Sequence, residues 1–174
     1  MPVNQEPHIH QNVICANVFV RKDGKFLMLK RSPKKKFLPN YINPIGGKVE
    51  ADENPYLAAQ RELKEETGLV VKNMRLEAVV LEIQPYKDKP HNWLVFHFSA
   101  DWAGGELQAT EEGEFIWFEP EEIPKQHLFP SVQQIIRHVI NPNDGTVFAT
   151  IAYNEQGEVE ESTKSLSICA LPSK

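Results

Sequence analysis

At 174 residues, with 41% hydrophobic and 25% charged side chains, the chain has the size and composition of one soluble globular domain with a proper core. Its 24 acidic residues outnumber 19 basic ones, giving a net charge of −5, which excludes a general nucleic-acid binder. A polyanionic ligand would therefore need metal ions or a local basic patch to be held. Cys15 and Cys169 belong to no C-x-x-C pair, so no disulfide framework is expected. No apolar run is long enough to span a membrane, and the polar start lacks the apolar segment of a signal peptide. A cytoplasmic protein, monomer or homodimer, without a membrane partner, is the expectation.

Residues 1–11 are polar and carry Pro2, Pro7, His8 and His10, which predicts a flexible N-terminus rather than a metal site. Asn12 to Val20, NVICANVFV, reads as a buried strand. Lys22-Asp23-Gly24-Lys25 is a hairpin turn signal, and Phe26 to Lys30 forms the returning strand. Arg31 to Lys36 is strongly basic and suits either a solvated loop or a phosphate-attracting rim. Asn40 to Gly47, NYINPIGG, is rich in turn formers.

A helix start is signalled at Asn54, a good N-cap, followed by Pro55 at the first helical position. Gly68 signals its stop, because a left-handed C-terminal cap strains glycine least. Between them, at about 100° per residue, Glu62, Glu65 and Glu66 share one stripe. Leu63, Tyr56 and Ala59 form the adjoining apolar flank. Carboxylates crowded this way repel each other, by a few tenths of a kcal/mol for each i,i+4 pair. A divalent cation converts that repulsion into attraction, and oxygen clusters suit Mg²⁺, or alternatively Mn²⁺. Arg61 stands at the edge of the stripe, where it can clamp Glu53 just ahead of the helix.

Beyond the helix, Val70-Val71 and Leu76 to Ile83 read as two strands, and Gln84 to His91 as a polar loop. Trp93 to Phe98 is a strand, and Asp101 to Glu106 turns at Gly104-Gly105 into another short one. Glu111-Glu112-Gly113-Glu114 leads into the strand Phe115 to Phe118, with a helix-start region at Glu119 to Glu122. Phe129-Pro130-Ser131 opens a helix from Val132 to Ile140, with Val132, Ile135, Ile136 and Val139 on one face. Val147 to Tyr153 and Val159 to Ser167 flank Gln156-Gly157 as a C-terminal β-hairpin, placed within 145–168. No internal repeat or linker divides residues 1–174, so a single domain is expected. Strands mixed with two helices imply an α+β layered domain.

The stretch Gly47 to Leu69 follows G-x5-E-x7-R-E-U-x-E-E-x-G-U, where U is aliphatic. Gly47, Glu53, Arg61, Glu62, Leu63, Glu65, Glu66, Gly68 and Leu69 fill every defined position. This pattern resembles the Nudix box, and the chain resembles Nudix hydrolases over roughly Asn12 to Ile140. That resemblance implies an α/β/α sandwich, a mixed β-sheet between helices, with the box as loop-helix-loop. It also implies Mg²⁺-dependent cleavage of a nucleoside diphosphate linkage.

On this resemblance Glu62, Glu65, Glu66 and the Gly47 carbonyl hold the metal, while Glu53 and Arg61 form a structural ion pair. Family members often supply the general base from a later loop. Here the candidates are Glu111, Glu112 and Glu114, with Glu112 preferred; His91 and His97 are weaker. Lys48 faces the phosphates. Asn43 and Phe129 match base-contacting positions of oxidised-purine triphosphatases in this family. The two aspartates that follow there are Ser131 and Val132 in this chain, a departure that puts the same base recognition in doubt.

The expected substrate is a nucleoside triphosphate, modified or not, split to monophosphate and pyrophosphate. ADP-ribose, a nucleotide sugar or a dinucleotide polyphosphate is the alternative, for which Pro85 is the pointer. A non-catalytic nucleotide sensor is the reading from another class, and the full carboxylate set speaks against it. Long nucleic acid is not an expected partner.

Overall fold

A computed structural model describes residues 11–85, 89, 91–141, 145–154, 158–160 and 165–169. Among these, β1 (Asn12–Lys22) is the strand on which the sheet is built. Cys15 to Val20 are buried without a break and, apart from Asn17, apolar on both faces, as a central strand demands. Antiparallel β2 (Lys25–Arg31) returns from the Asp23-Gly24 turn. Two short strands, β3 (Ile42–Asn43) and β4 (Ile45–Lys48), then pair with β2 and β1 respectively.

Helix α1 (Pro55–Thr67) starts and stops on local chemistry. The Asn54 side chain accepts from the backbone N–H of Tyr56 at 3.0 Å and of Leu57 at 3.1 Å. Gly68 closes the helix at φ 74°, donating its N–H to the Lys64 carbonyl at 2.9 Å. The buried flank is Ala58, Ala59, Leu63 and Thr67. Tyr56 is not part of it: 43% exposed, it lies over the rim, edge-on to Phe98, and Ala58 takes the core position.

Strand β5 (Val70–Ile83) is continuous where the sequence suggests two strands. Its pairing with β6 (Asn92–Gly104) shifts register between Lys72 and Arg75, and Asn73 absorbs a φ of 52° there. The charged residues in that stretch belong to an exposed part of the strand, not to a turn. Asp101 to Gly104 likewise continue β6, held to β1 by the Arg21–Asp101 ion pair at 3.1 Å and by Lys22 over the Trp102 ring. The short strand expected after Gly104-Gly105 reduces to one bridge between Thr110 and Gly113.

β7 (Gly113–Phe118) pairs with β2, a 3₁₀ turn covers Ile123–Lys125, and α2 (Pro130–Ile140) follows. β8 (Thr146–Ala152) adds in parallel beside β5, and β9 (Ser165–Cys169) pairs antiparallel with β8. The C-terminal pair thus forms, but its second strand lies later than Val159 to Ser167. Val159 makes only an isolated bridge to Tyr153. An alternating pattern tolerates a slide by two residues without changing face, so alternation alone could not fix this register. His8, His10 and the Gln156-Gly157 turn lie outside the described residues.

The strand order is β3-β2-β1-β6-β5-β8-β9, with β4 added on β1 and β7 on β2. β1–β6 and β5–β8 run parallel and the other pairs antiparallel, so the sheet is mixed. Alternate residues of β1 serve opposite layers. Phe19 joins Val132, Ile135, Ile136 and Val139 of α2, whereas Ala16, Val18 and Val20 join Ala58, Ala59 and Leu63 of α1. Burying each large aliphatic side chain contributes about 1.5–3 kcal/mol, so both layers are held by the same force. The result is an α+β sandwich. Among the described residues no helix is long and apolar enough to cross a membrane.

Candidate active site

Helix α1 enters the site through contacts made by β4. Gly47 packs so closely on Glu62 that a Cβ there would lie 2.5 Å from the Glu62 carboxyl carbon. A larger residue there would have to displace the Glu62 carboxyl. Arg61 organises the stripe beside it. It grips Glu53 with Nε at 3.2 Å and Nη2 at 2.5 Å, and its Nη1 reaches Glu62 at 2.8 Å and Glu65 at 3.1 Å. Nη2 also donates to the Lys48 carbonyl at 3.1 Å, tying β4 to the helix. The Arg61 guanidinium holds the Glu53 carboxyl below the usual carboxylate range, and the carboxylates hold Arg61 firmly protonated.

Glu66 is in a different condition. Its Oε2 is shielded from water with no hydrogen-bond partner among the described residues. Burial, with the nearby charges of Glu62 and Glu112, pushes its carboxyl up to about 7, against the opposing pull of Lys35 and Arg31. An orphaned carboxylate oxygen beside two other carboxylates is the donor set that a hard divalent cation fits. Among the described residues no three acidic, histidine or cysteine side chains already converge as a finished shell, and Glu65 remains 60% exposed.

Glu112 sits on the loop before β7. It is anchored by its backbone carbonyl, which accepts from the Ser32 N–H at 2.8 Å, and by an ion pair with Lys35. The basic segment after β2 is therefore folded against this loop. His97 offers no base: it is fully buried, and desolvation drives its pKa down to about 3.

A cavity of about 240 Å³ opens beside Gly47. It brings together Asn43, Gly47, Lys48, Pro85 and Phe129, all singled out from the sequence, while Glu62, Glu65, Glu66 and Glu112 do not line it. Asn43 and Phe129 meet because β3 lies along the chain ahead of α2, where the Phe129 N–H donates to the Ile42 carbonyl at 3.0 Å. Phe37 and Tyr41 each meet the Phe129 ring edge-on at 6.0 Å, and the Arg31 guanidinium lies 5.4 Å from its centre.

The cavity also contains Cys15, Asn17, Glu82 and Trp93, none of them a site residue expected from the sequence, and Ser131, marked there only as a departure from the family's aspartates. Glu82 had one signal, a lone carboxylate within the apolar run Ala78 to Ile83. Cys15 is buried, and desolvation pushes its thiol up to about 12, so it is a wall and not a nucleophile.

Comparison with known proteins places this geometry. The NUDIX domain family matches residues 9–139. The chain is 29% identical over 147 residues to the uncharacterized Nudix hydrolase YvcI of Bacillus subtilis, covering 82% of this chain and 88% of that protein. It is 31% identical over 141 residues to the NAD-capped RNA hydrolase NudC of Pseudomonas aeruginosa, covering 80% of this chain but only 45% of NudC. The chain thus spans less than half the length of that relative. The CTP pyrophosphohydrolase of Escherichia coli is 33% identical over 116 residues, covering 64% of this chain and 79% of its own. Among solved structures, the mutator MutT protein of Bacillus halodurans superimposes with a TM-score of 0.76 at 25% identity, covering 89% of this chain and 97% of that one. Nudix hydrolases generally use divalent metal ions, typically Mg²⁺, which accords with the carboxylate stripe of α1. The protein belongs to the Nudix hydrolase family and resembles MutT proteins.

Proposed function

We propose that this enzyme hydrolyses a nucleoside triphosphate to the monophosphate and pyrophosphate. The observation that carries this reading is a single cavity lined both by aromatic and amide side chains and by the loop that packs on the carboxylate helix. Phe129, Asn43, Gly47 and Lys48 line the same cavity, and the Glu62 carboxyl packs against Gly47. A base held against Phe129 would direct its phosphates toward the carboxylate stripe.

In this reading Phe129 stacks on the base, its ring plane fixed by Phe37 and Tyr41, and the Asn43 amide hydrogen-bonds to a base edge. Lys48 lies against the phosphates. Glu62, Glu65, Glu66 and the Gly47 carbonyl would hold Mg²⁺ or Mn²⁺. When bound, the cation neutralises phosphate charge and makes a water more acidic. Arg61 keeps Glu62 and Glu65 together and, through Glu53, fixes the loop ahead of the helix. Glu112 takes the proton of the attacking water, the anhydride P–O bond breaks, and pyrophosphate leaves. Lys35, paired with Glu112, limits that carboxylate's freedom before substrate arrives. The relative named for CTP hydrolysis and the MutT structure are in keeping with a triphosphate substrate.

One observation favours a second reading. Pro85 lines the same cavity, which suits the ADP-ribose or nucleotide-sugar alternative. A panel of nucleoside triphosphates, ADP-ribose, dinucleotides and NAD-capped RNA, assayed with Mg²⁺, separates them. Pyrophosphate released from a triphosphate supports the first reading. AMP and ribose phosphate from ADP-ribose, with triphosphates untouched, would replace it with the second.

A further inference from the structure

The roles proposed above leave the cavity's polar floor unused. Glu82 comes from β5, is only 7% exposed, and lines the cavity with Asn43, Trp93, Phe129 and Ser131. A carboxyl set inside an apolar strand is costly to bury and is retained where partners or a ligand meet it. Among the described residues, the groups that meet it are hydroxyls. Tyr153 donates its O–H to Glu82 Oε2 at 2.8 Å, and the Ser131 hydroxyl lies close enough to the same carboxyl to oppose the effect of burial on its proton affinity. Ser131 comes from the first turn of α2, and Tyr153 follows directly after β8, beyond the residues matched by the NUDIX family.

A carboxylate offers about four lone-pair positions. Among the described residues these hydroxyls leave further acceptor capacity on a group that lines the same cavity as Phe129. The hydroxyls also fix which way the carboxyl plane faces, because they approach from different elements. Burial raises the proton affinity of Glu82; the ionised carboxylate is acceptor-only, and it is this form that discriminates an amine from a carbonyl.

We propose that Glu82 is the specificity-determining residue of the pocket, accepting a hydrogen bond from the exocyclic amine of an amino-bearing base: cytosine, adenine or guanine. Uracil and thymine carry a carbonyl oxygen where cytosine carries its amine, so they set one acceptor against another. Tyr153 is a positioning residue that acts through Glu82. This inference rests on the reading of the cavity as the base site, and it assigns the class of base.

The test is calorimetric binding of CMP, AMP, GMP, UMP and TMP to the full chain, with kcat and KM for the triphosphates measured in parallel. At least one amino-bearing monophosphate should bind about tenfold or more tighter than UMP and TMP, the discrimination expected when a buried polar group is left unpaired. That preference should shrink to within about threefold in Glu82→Met and in Tyr153→Phe, as loss of one oriented hydrogen bond predicts. In Tyr153→Phe the change should fall on KM, with kcat at saturation retained. Tyr153→Phe keeps the ring and decides the matter if Glu82→Met does not fold. Binding of UMP as tight as every amino-bearing monophosphate, or a preference unchanged in the folded variants, overturns the assignment. A monophosphate preference that depends on Glu82, with no triphosphate hydrolysed, upholds this assignment and overturns the reaction proposed above.

Discussion

Glu77 in β5 and Glu66 in α1 are both carboxylates drawn into the protein, and their surroundings differ. Glu77 is 1% exposed and fully partnered. Ser99 Oγ donates to it at 2.5 Å, Arg75 pairs with it at 3.1 Å, and His138 Nε2 stands 3.5 Å away. Glu66 has an oxygen shielded from water with no partner among the described residues, and carboxylate charges stand nearby. A group satisfied by the protein alone is architecture. One left short of partners next to like charges has an environment that a ligand would complete. The price of that arrangement is stability, and it is measurable.

The largest effect should come from Glu66→Gln, which keeps the shape and removes the charge. Turnover with saturating Mg²⁺ should fall at least about a hundredfold. Full activity in that variant would remove Glu66 from the chemistry and erase the contrast with Glu77. Gly47→Ala comes next, since its Cβ would sit 2.5 Å from the Glu62 carboxyl carbon. A displacement of that kind should lower kcat/KM by about ten- to a hundredfold, with little change in thermal stability.

Glu77→Ala tests the other side. Denaturant unfolding should show a loss of about 1–3 kcal/mol, because Ser99 and Arg75 lose their acceptor. Activity per folded molecule should stay at the parent level, and a large drop in kcat would mean that Glu77 is more than architecture.

The smallest effect is a pH dependence. Burial raises Glu66 in the fold from its ordinary value of 4.5 to about 7. The folded state therefore binds the proton more tightly than the unfolded chain. That contribution is complete below 4.5 and is lost as pH rises through about 7. With a chelator present, Glu66→Gln should gain about 2–4 °C in Tm over the parent at pH 8, and less at pH 5. An equal difference at both pH values would show that Glu66 is not desolvated in solution.

Much of this molecule is legible in order along the chain. Asn54, Pro55 and Gly68 mark α1 to the residue because caps are contacts between near neighbours. The spacing of Glu62, Glu65 and Glu66 places them on one stripe through helix geometry alone. The burial of Cys15 to Val20 follows from their being apolar on both faces, with Asn17 the exception. Less legible are the joints. The single strand through Lys72 to Arg75 and the late start of β9 depend on pairing partners far away in sequence, which periodicity cannot name.

The sequence by itself determined the box, its helix and the family, since those signals are contiguous and local. Only the tertiary structure decided that Glu82 joins Asn43, Phe129 and Ser131 around one cavity, with Tyr153 bonded to it from behind. It also decided that Glu66, and not Glu65, loses its water. The physical reason is that desolvation depends on what packs over a side chain. The charges that act on Glu66 include those of the basic segment after β2 and the loop bearing Glu112, and no spacing within the helix encodes either.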